Sequence, residues 1–211
     1  MTGEADRTSG VEATRERIVA AAFALFGAQG YARTTTRAVA EAAGVNEVTI
    51  FRHFGSKKNL LVACVEAANA QGFSATFARH LTGDYAQDIL IMARLQAAHM
   101  AKNVDILRVL ICDAVEVPEI RDILLAGASG NQALVASYFR RQIENGVVRP
   151  GLDPLVLARA FDNLFSMPVF FERVLGAEGL PGIEQEHVIA QLADIFACGT
   201  ARTEQEGVHH G

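Results

Sequence analysis

The three residues Gly44-Val45-Asn46 constrain this chain more than any others, because they join two short helical runs that must pack closely. Thr34-Thr35-Thr36-Arg37-Ala38-Val39-Ala40-Glu41-Ala42-Ala43 reads as the first helix with its approach, and Glu47-Val48-Thr49-Ile50-Phe51-Arg52-His53-Phe54 as the second. Ala40 and Gly44 are small where the helices meet, and Gly44 can take the positive φ that ends a helix. Asn46 is a favourable N-cap, and Val45 before it can pack on Ile50 as a hydrophobic staple. In the second helix Ile50 and Phe54 share a face. A step of about 100° per residue sets Val48 and Arg52 opposite that face, flanked by Thr49 and Phe51. Two short helices on a tight Gly-containing turn form the unit that lays one helix in the major groove of DNA.

A net charge of −5 looks wrong for a DNA binder until it is divided along the chain. Between Tyr31 and Lys58 the cations Arg33, Arg37, Arg52, Lys57 and Lys58 outnumber Glu41 and Glu47 by three, which leaves the remainder at −8. Local charge on the reading head governs phosphate contact, not the whole-chain sum. Lys57 and Lys58 follow Ser56, a good N-cap, so they fall in the first turn of the next helix. Cations there oppose the helix dipole at a cost of about 0.3–1 kcal/mol each, which a DNA phosphate would reverse. Glu47 sits in the first turn after Asn46, where a carboxylate suits the positive helix end and repels wrong DNA; acceptance of a cytosine amino proton is the sharper alternative. His53 points partly inward, so a structural role competes with a phosphate contact.

At this point the stretch from Thr14 to about Val65 resembles the tetracycline-repressor (TetR) family of bacterial transcription regulators. The matching residues are Ile18, Ala22, Leu25 and Phe26, then Gly30-Tyr31, Thr35-Thr36, Ala40, Ala43-Gly44-Val45, Phe51-Arg52-His53-Phe54 and Ser56-Lys57. Three positions depart from the family pattern: Phe51 stands where Tyr is usual, and Glu47 and Val48 where Lys and Gly are common. A phosphate-binding hydroxyl is therefore missing, and base preference does not carry over. The resemblance implies a homodimer on a palindromic operator. Thr34, Thr35, Thr36, Phe51, His53, Lys57 and Lys58 would fix register on the backbone, while Arg37, Val48, Thr49 and Arg52 meet base edges, with Asn46 and Glu47 at the head of the reading helix.

Beyond Lys58 the chain reads as helices punctuated by Gly, Pro and Asp. They run from Ser56 to about His80, Tyr85 to Lys102, Asp105 to Val115, Pro118 to Leu125, Ser129 to Asn145, Leu155 to Leu175 and Ile183 to about Ala201. Asp153 is the expected N-cap of the sixth, with Pro154 at its first position, and Pro168 should kink it. No alternating strand pattern or repeat occurs. The expected fold is all-α with about nine helices: a flexible N-terminus over 1–12, a helix-turn-helix domain over 13–60, a ligand-binding and dimerisation domain over 61–202, and a flexible tail over 203–211.

The last two long helices are the most apolar. Phe161, Leu164, Phe165, Val169 and Phe170 on one, and Val188, Leu192, Ile195, Phe196 and Gly199 on the other, are expected to pack on their two-fold mates as a four-helix bundle. An effector pocket is implied by the resemblance, with Phe73, Phe77, Met92, His99, Met100, Cys112, Phe139, Phe161, Asn163, Phe165 and Met167 as candidate lining; a buried core is the competing account of each. The effector implied is a small apolar molecule.

Other classes find little support. No apolar run approaches the roughly 20 residues a membrane helix needs. Met1 to Glu12 lacks a signal-peptide core, and Cys64, Cys112 and Cys198 are isolated, so a cytoplasmic protein with reduced thiols is expected. There is no phosphate loop, metal-spaced cluster or nucleophile elbow, so no catalysis, cofactor or metal is expected. His209-His210 lies in the tail. A DNA-binding regulator without an effector is the alternative, and a helical enzyme or carrier the distant third.

Overall fold

The computed structural model describes residues 3–70, 77 and 79–203, with the side chains of 3–9, 69–70 and 127–129 left aside. Among the described residues there are nine helices: α1 (Gly3–Gln29), α2 (Thr36–Ala43), α3 (Glu47–Phe54), α4 (Lys57–Ala70), α5 (Tyr85–Lys102), α6 (Val104–Asp113), α7 (Pro118–Glu144), α8 (Pro154–Arg173) and α9 (Gln185–Thr200). None is long and apolar enough to cross a membrane. Among the described residues the backbone pairs as strands do only at the isolated bridge between Val148 and Ala201, beside the amide that Arg149 donates to the Thr200 carbonyl.

The chain divides into two compact units, residues 1–70 with 105–126 and residues 71–104 with 127–211. The boundary expected near residue 60 therefore lies later, and the first unit also recruits α6 and the start of α7. The chain passes between units three times, the last time inside the unbroken α7.

Unit 1 has its own core. Ile18, Ala22 and Phe26 of α1, Val39 of α2, Ile50 and Phe54 of α3, Leu60, Leu61 and Cys64 of α4, and Ile106, Val109 and Leu110 of α6 are all buried. Gly27 lets α1 and α6 approach, since a Cβ there would stand 2.9 Å from the Asp105 Cβ. Burial pushes the Cys64 thiol up to about 12, so it stays protonated and inert.

Unit 2 is held by packed aromatic rings. Phe139 lies 6.3 Å from Phe161 and 5.7 Å from Phe196, and Phe161 lies 4.8 Å from Phe165, between ring centroids. Helix α5 packs against α8 and α9. Asp88, buried to 2 % exposure, accepts from the Thr82 amide and hydroxyl at 2.6 and 2.9 Å and from the Tyr138 hydroxyl at 3.3 Å. A buried carboxylate is tolerable only with such partners.

Several boundaries differ from expectation for identifiable reasons. Helix α1 begins at Gly3, not near residue 13, because that polar segment holds no proline and Gly10 costs only about 1 kcal/mol; polarity does not by itself stop a helix. The pieces expected over 118–125 and 129–145 are one helix, since Gly127 and Gly130 each cost only about 1 kcal/mol and supply no turn. Helix α6 ends at Asp113 rather than Val115. Helix α8 continues through Pro168 to Arg173, capped as expected by Asp153, which accepts from the Leu155 and Val156 amides at 2.7 and 3.2 Å. The stretch carrying the Ser56 helix on toward His80 lies largely outside the described residues, as do Phe73 and the tail with His209-His210.

Candidate functional site

The turn between α2 and α3 forms as its residues dictate. Gly44 sits at φ 65°, ψ 39°, the left-handed conformation that glycine adopts without strain. The Asn46 side chain accepts from the Val48 amide at 3.0 Å and caps α3, and Thr35 caps α2 by accepting from Ala38 at 3.1 Å. Ser56 caps α4 through the Asn59 amide at 3.1 Å. Ile50 and Phe54 are buried in the unit core, which fixes the rotation of α3 about its axis. The opposite face then carries Val48, 71 % exposed, with Phe51 and Arg52 exposed and Thr49 half-buried. Val48 and Phe51 thus leave apolar surface open beside the Arg52 guanidinium.

The remaining residues of the expected interface fall into distinct surroundings. Arg37 is exposed at the start of α2. Thr36 donates to Glu47 Oε1 at 2.5 Å, so the carboxylate ties α2 to α3. Thr34 is a correction: it is buried, with its hydroxyl donating to the Gly30 carbonyl at 2.8 Å and accepting from Gln29 at 3.2 Å, and it cannot reach a DNA backbone. Its role is to hold the turn after α1. Lys57 lies with Nζ 4.2 Å from the centroid of the Tyr31 ring and 3.5 Å from the Ala32 carbonyl. Partial burial lowers its pKa, an effect Asp113 opposes. Lys58 is half-buried. The His53 ring is half-buried 6.0 Å from Phe54, with Nε2 enclosed and unpartnered among the described residues.

Sequence reading expected the helix that is α6 but missed its contacts with the reading head. Asp113, at its end, accepts from the Tyr31 amide at 2.7 Å, and Arg108 donates to the Gly27 carbonyl. Both grip the end of α1 and the turn that precedes α2. No local pattern announces a partner 82 residues away.

In unit 2 the candidate lining residues are dispersed. Phe77, Met92, Phe139 and Phe161 are buried in the core, Asn163 is exposed, and Met167 is 38 % exposed. His99 is half-buried beside Asn103, its Nδ1 3.1 Å from the Asn103 amide nitrogen; burial lowers its pKa, with Lys102 adding to the effect. Met100 is half-buried on the same turn. Cys112 is a correction: it is exposed on α6 and belongs to unit 1. A cleft of about 500 Å³ does exist, between the second half of α8, the loop over 174–184 and the first half of α9. Of the expected lining, among the described residues, only Phe165 reaches it.

The comparisons with known proteins agree with this geometry. Residues 18–64 match the family model for bacterial regulatory proteins of the tetR family. The chain is also 26 % identical, over 88 % of its length and 96 % of the relative's, to the uncharacterized HTH-type transcriptional regulator YvkB of Bacillus subtilis (strain 168). The helix-turn-helix of unit 1 is the part that the tetR family model covers. Solved structures share the fold across most of the chain. A TetR-family regulator from Mesorhizobium loti MAFF303099 superposes with a TM-score of 0.74 at 20 % identity, covering 91 % of this chain and 98 % of that one. NalD of Pseudomonas aeruginosa, the secondary repressor of the MexAB-OprM multidrug efflux pump, gives a TM-score of 0.68 at 21 % identity, covering 92 % and 98 %. The matched model ends within α4, so it covers the helix-turn-helix, and the rest of the chain is matched by likeness of fold.

Proposed function

We propose that this chain is a homodimeric repressor that holds a palindromic operator through α3 and leaves it when a small, largely apolar molecule occupies unit 2. The observation that carries the reading is the open face of α3, where Val48, Thr49, Phe51 and Arg52 are held outward by the burial of Ile50 and Phe54. Arg52 and Arg37 suit guanine edges, and the methyl-rich Val48 suits thymine. Thr35, Thr36, Phe51, His53, Lys57 and Lys58 would grip the backbone. Lys57 would reach phosphate from its seat on Tyr31, where the ring and turn pre-position the ammonium. NalD, a repressor of the same fold, supports the sign of regulation, and a chromosomal operator would place the protein in the cytoplasm.

Dimerisation rests on apolar surface that one chain leaves uncovered. Val156 is 66 % and Ile195 65 % exposed, with Met167 also on the surface of α8 and open space at Gly199. Phe161, Phe165, Val169 and Phe196, expected at the interface, are buried within their own chain. Their burial favours a partner contact on Val156, Met167 and Ile195 instead. Glutamate at Ile195 should yield monomers by light scattering with weak operator binding, because an unpaired buried charge costs several kcal/mol. A dimer that persists would put the interface elsewhere.

An effector acts only through differential affinity for the DNA-competent and DNA-incompetent states. Weakening operator binding 100-fold corresponds to about 2.7 kcal/mol, and the operator must weaken effector binding equally. A compound library that shifts neither operator binding nor melting temperature would favour the effector-free regulator.

A further inference from the structure

The cleft of unit 2 has apolar walls and an acidic rim. Phe165 and Val169 of α8 and Val188 and Leu192 of α9 form the walls, and no Lys, Arg or His lines the space. Its volume, about 500 Å³, falls in the range of small-molecule sites, roughly 300–1,000 Å³. Two carboxylates border it. Glu172, in the last turn of α8, is half-buried, and its Oε1 lies against the loop where a Cβ on Gly179 would come within 3.1 Å. Glu178 belongs to that loop. Among the described residues the ion pairs are Arg94 with Glu186 and Arg108 with Asp105, so neither rim carboxylate has a protein cation. A half-buried carboxylate without a counter-charge, next to the exposed ring of Phe171, makes a concave surface that attracts positive charge and apolar bulk together.

The geometry points to a binding site for a lipophilic cation, an aryl or alicyclic body carrying one ammonium or onium charge. The body fills the space between α8 and α9, and the charge lies at Glu172 and Glu178 over the Phe171 ring. This deepens the effector reading above and rests on it for its consequence at the operator. A second copy of the chain is the competing occupant. Charge and shape favour the small molecule: the space is concave and acid-rimmed, while the exposed residues Val156, Met167 and Ile195, which suit a flat partner surface, do not line it.

The test uses full-length protein without DNA and two probes of matched shape and opposite charge, tetraphenylphosphonium and tetraphenylborate, by titration calorimetry. Phosphonium should bind at least about tenfold tighter than borate, and Glu172→Gln and Glu178→Gln should each weaken it about three- to tenfold. The double variant should erase the preference. Equal binding of both probes, no binding of either, or an unchanged Glu172→Gln would overturn the site. Should Glu172→Gln not fold, Glu178→Gln in the loop carries the same test. Leu192→Glu that turns dimers into monomers would assign the cleft to a second copy and also overturn it. Operator release is measured separately. Phosphonium that binds with charge preference yet never releases DNA keeps the site and removes its effector role; release by both probes alike keeps the effector role and removes the site.

Discussion

The reading head and the C-terminal unit are built from the same kind of helix, yet they relate to sequence in opposite ways. In the head, α2 and α3 have 8 residues each, and every turn is set by a residue with a local job: Thr35 and Asn46 cap, Gly44 terminates, Ile50 and Phe54 anchor. In unit 2, α5, α8 and α9 have 16 to 20 residues and hold together through rings that meet across long stretches of chain. Local interactions fix the first; shape complementarity fixes the second. The functions proposed for the two units divide the same way. A helix aimed at DNA needs one orientation, whereas a cleft for a small molecule needs only a wall that closes imperfectly.

Truncation should expose that contrast most strongly in unit 2. Phe161 is buried against Phe139, Phe165 and Phe196, so Phe161→Ala should cost about 3–5 kcal/mol in denaturant unfolding. A loss below about 1 kcal/mol would mean that the ring cluster repacks freely, and the claim of long-range shape control would fail. In the head, the expected effect is smaller and local. Asn46→Ala removes the cap on the Val48 amide and should cost about 0.5–2 kcal/mol, weakening DNA binding through fraying of α3. Asn46→Gly should recover most of that loss, because glycine is also a tolerated cap. A cap variant that unfolds as far as the Phe161 variant would erase the distinction between the two regions.

What the chain announced in advance follows the same line. The Thr35 cap of α2 was not read, whereas the two short helices, the Asn46 cap, the left-handed Gly44 and the outward face of α3 were legible from short-range pattern. The ends of α5 at Tyr85 and Lys102 were legible for the same reason, with Asp84 capping one end. Thr34 was misassigned because nothing in a run of three threonines shows which hydroxyl turns inward to the Gly30 carbonyl. The part played by α6 was invisible, since Asp113 meets Tyr31 across 82 residues. Phe and Met in unit 2 all suited a pocket by type. Which of them line space and which fill it depends on helix rotation, and the periodicity of nearly all-apolar helices does not specify that.

A subtler probe of the head is its electrostatics. Lys57→Ala should weaken operator and random DNA alike and reduce the slope of log affinity against log salt by about one unit per contact, one contact from each protomer. Because Lys57 also covers Tyr31, Lys57→Met, which keeps the apolar cover and removes the charge, should show the same slope change. Unchanged slopes in both variants would leave Lys57 as a packing residue of the turn.

The central claim is that the outward face of α3 reads sequence, and selection from random DNA tests it most directly. The wild-type protein and Arg52→Ala are each taken through enrichment, and the recovered sites compared. The account predicts a palindromic site for the wild type. It predicts that Arg52→Ala loses preference at one base pair in each half-site while keeping the others, with specific affinity lower by about 1–3 kcal/mol. Enrichment of no site, or an Arg52→Ala site identical to the wild-type one at undiminished affinity, would contradict it.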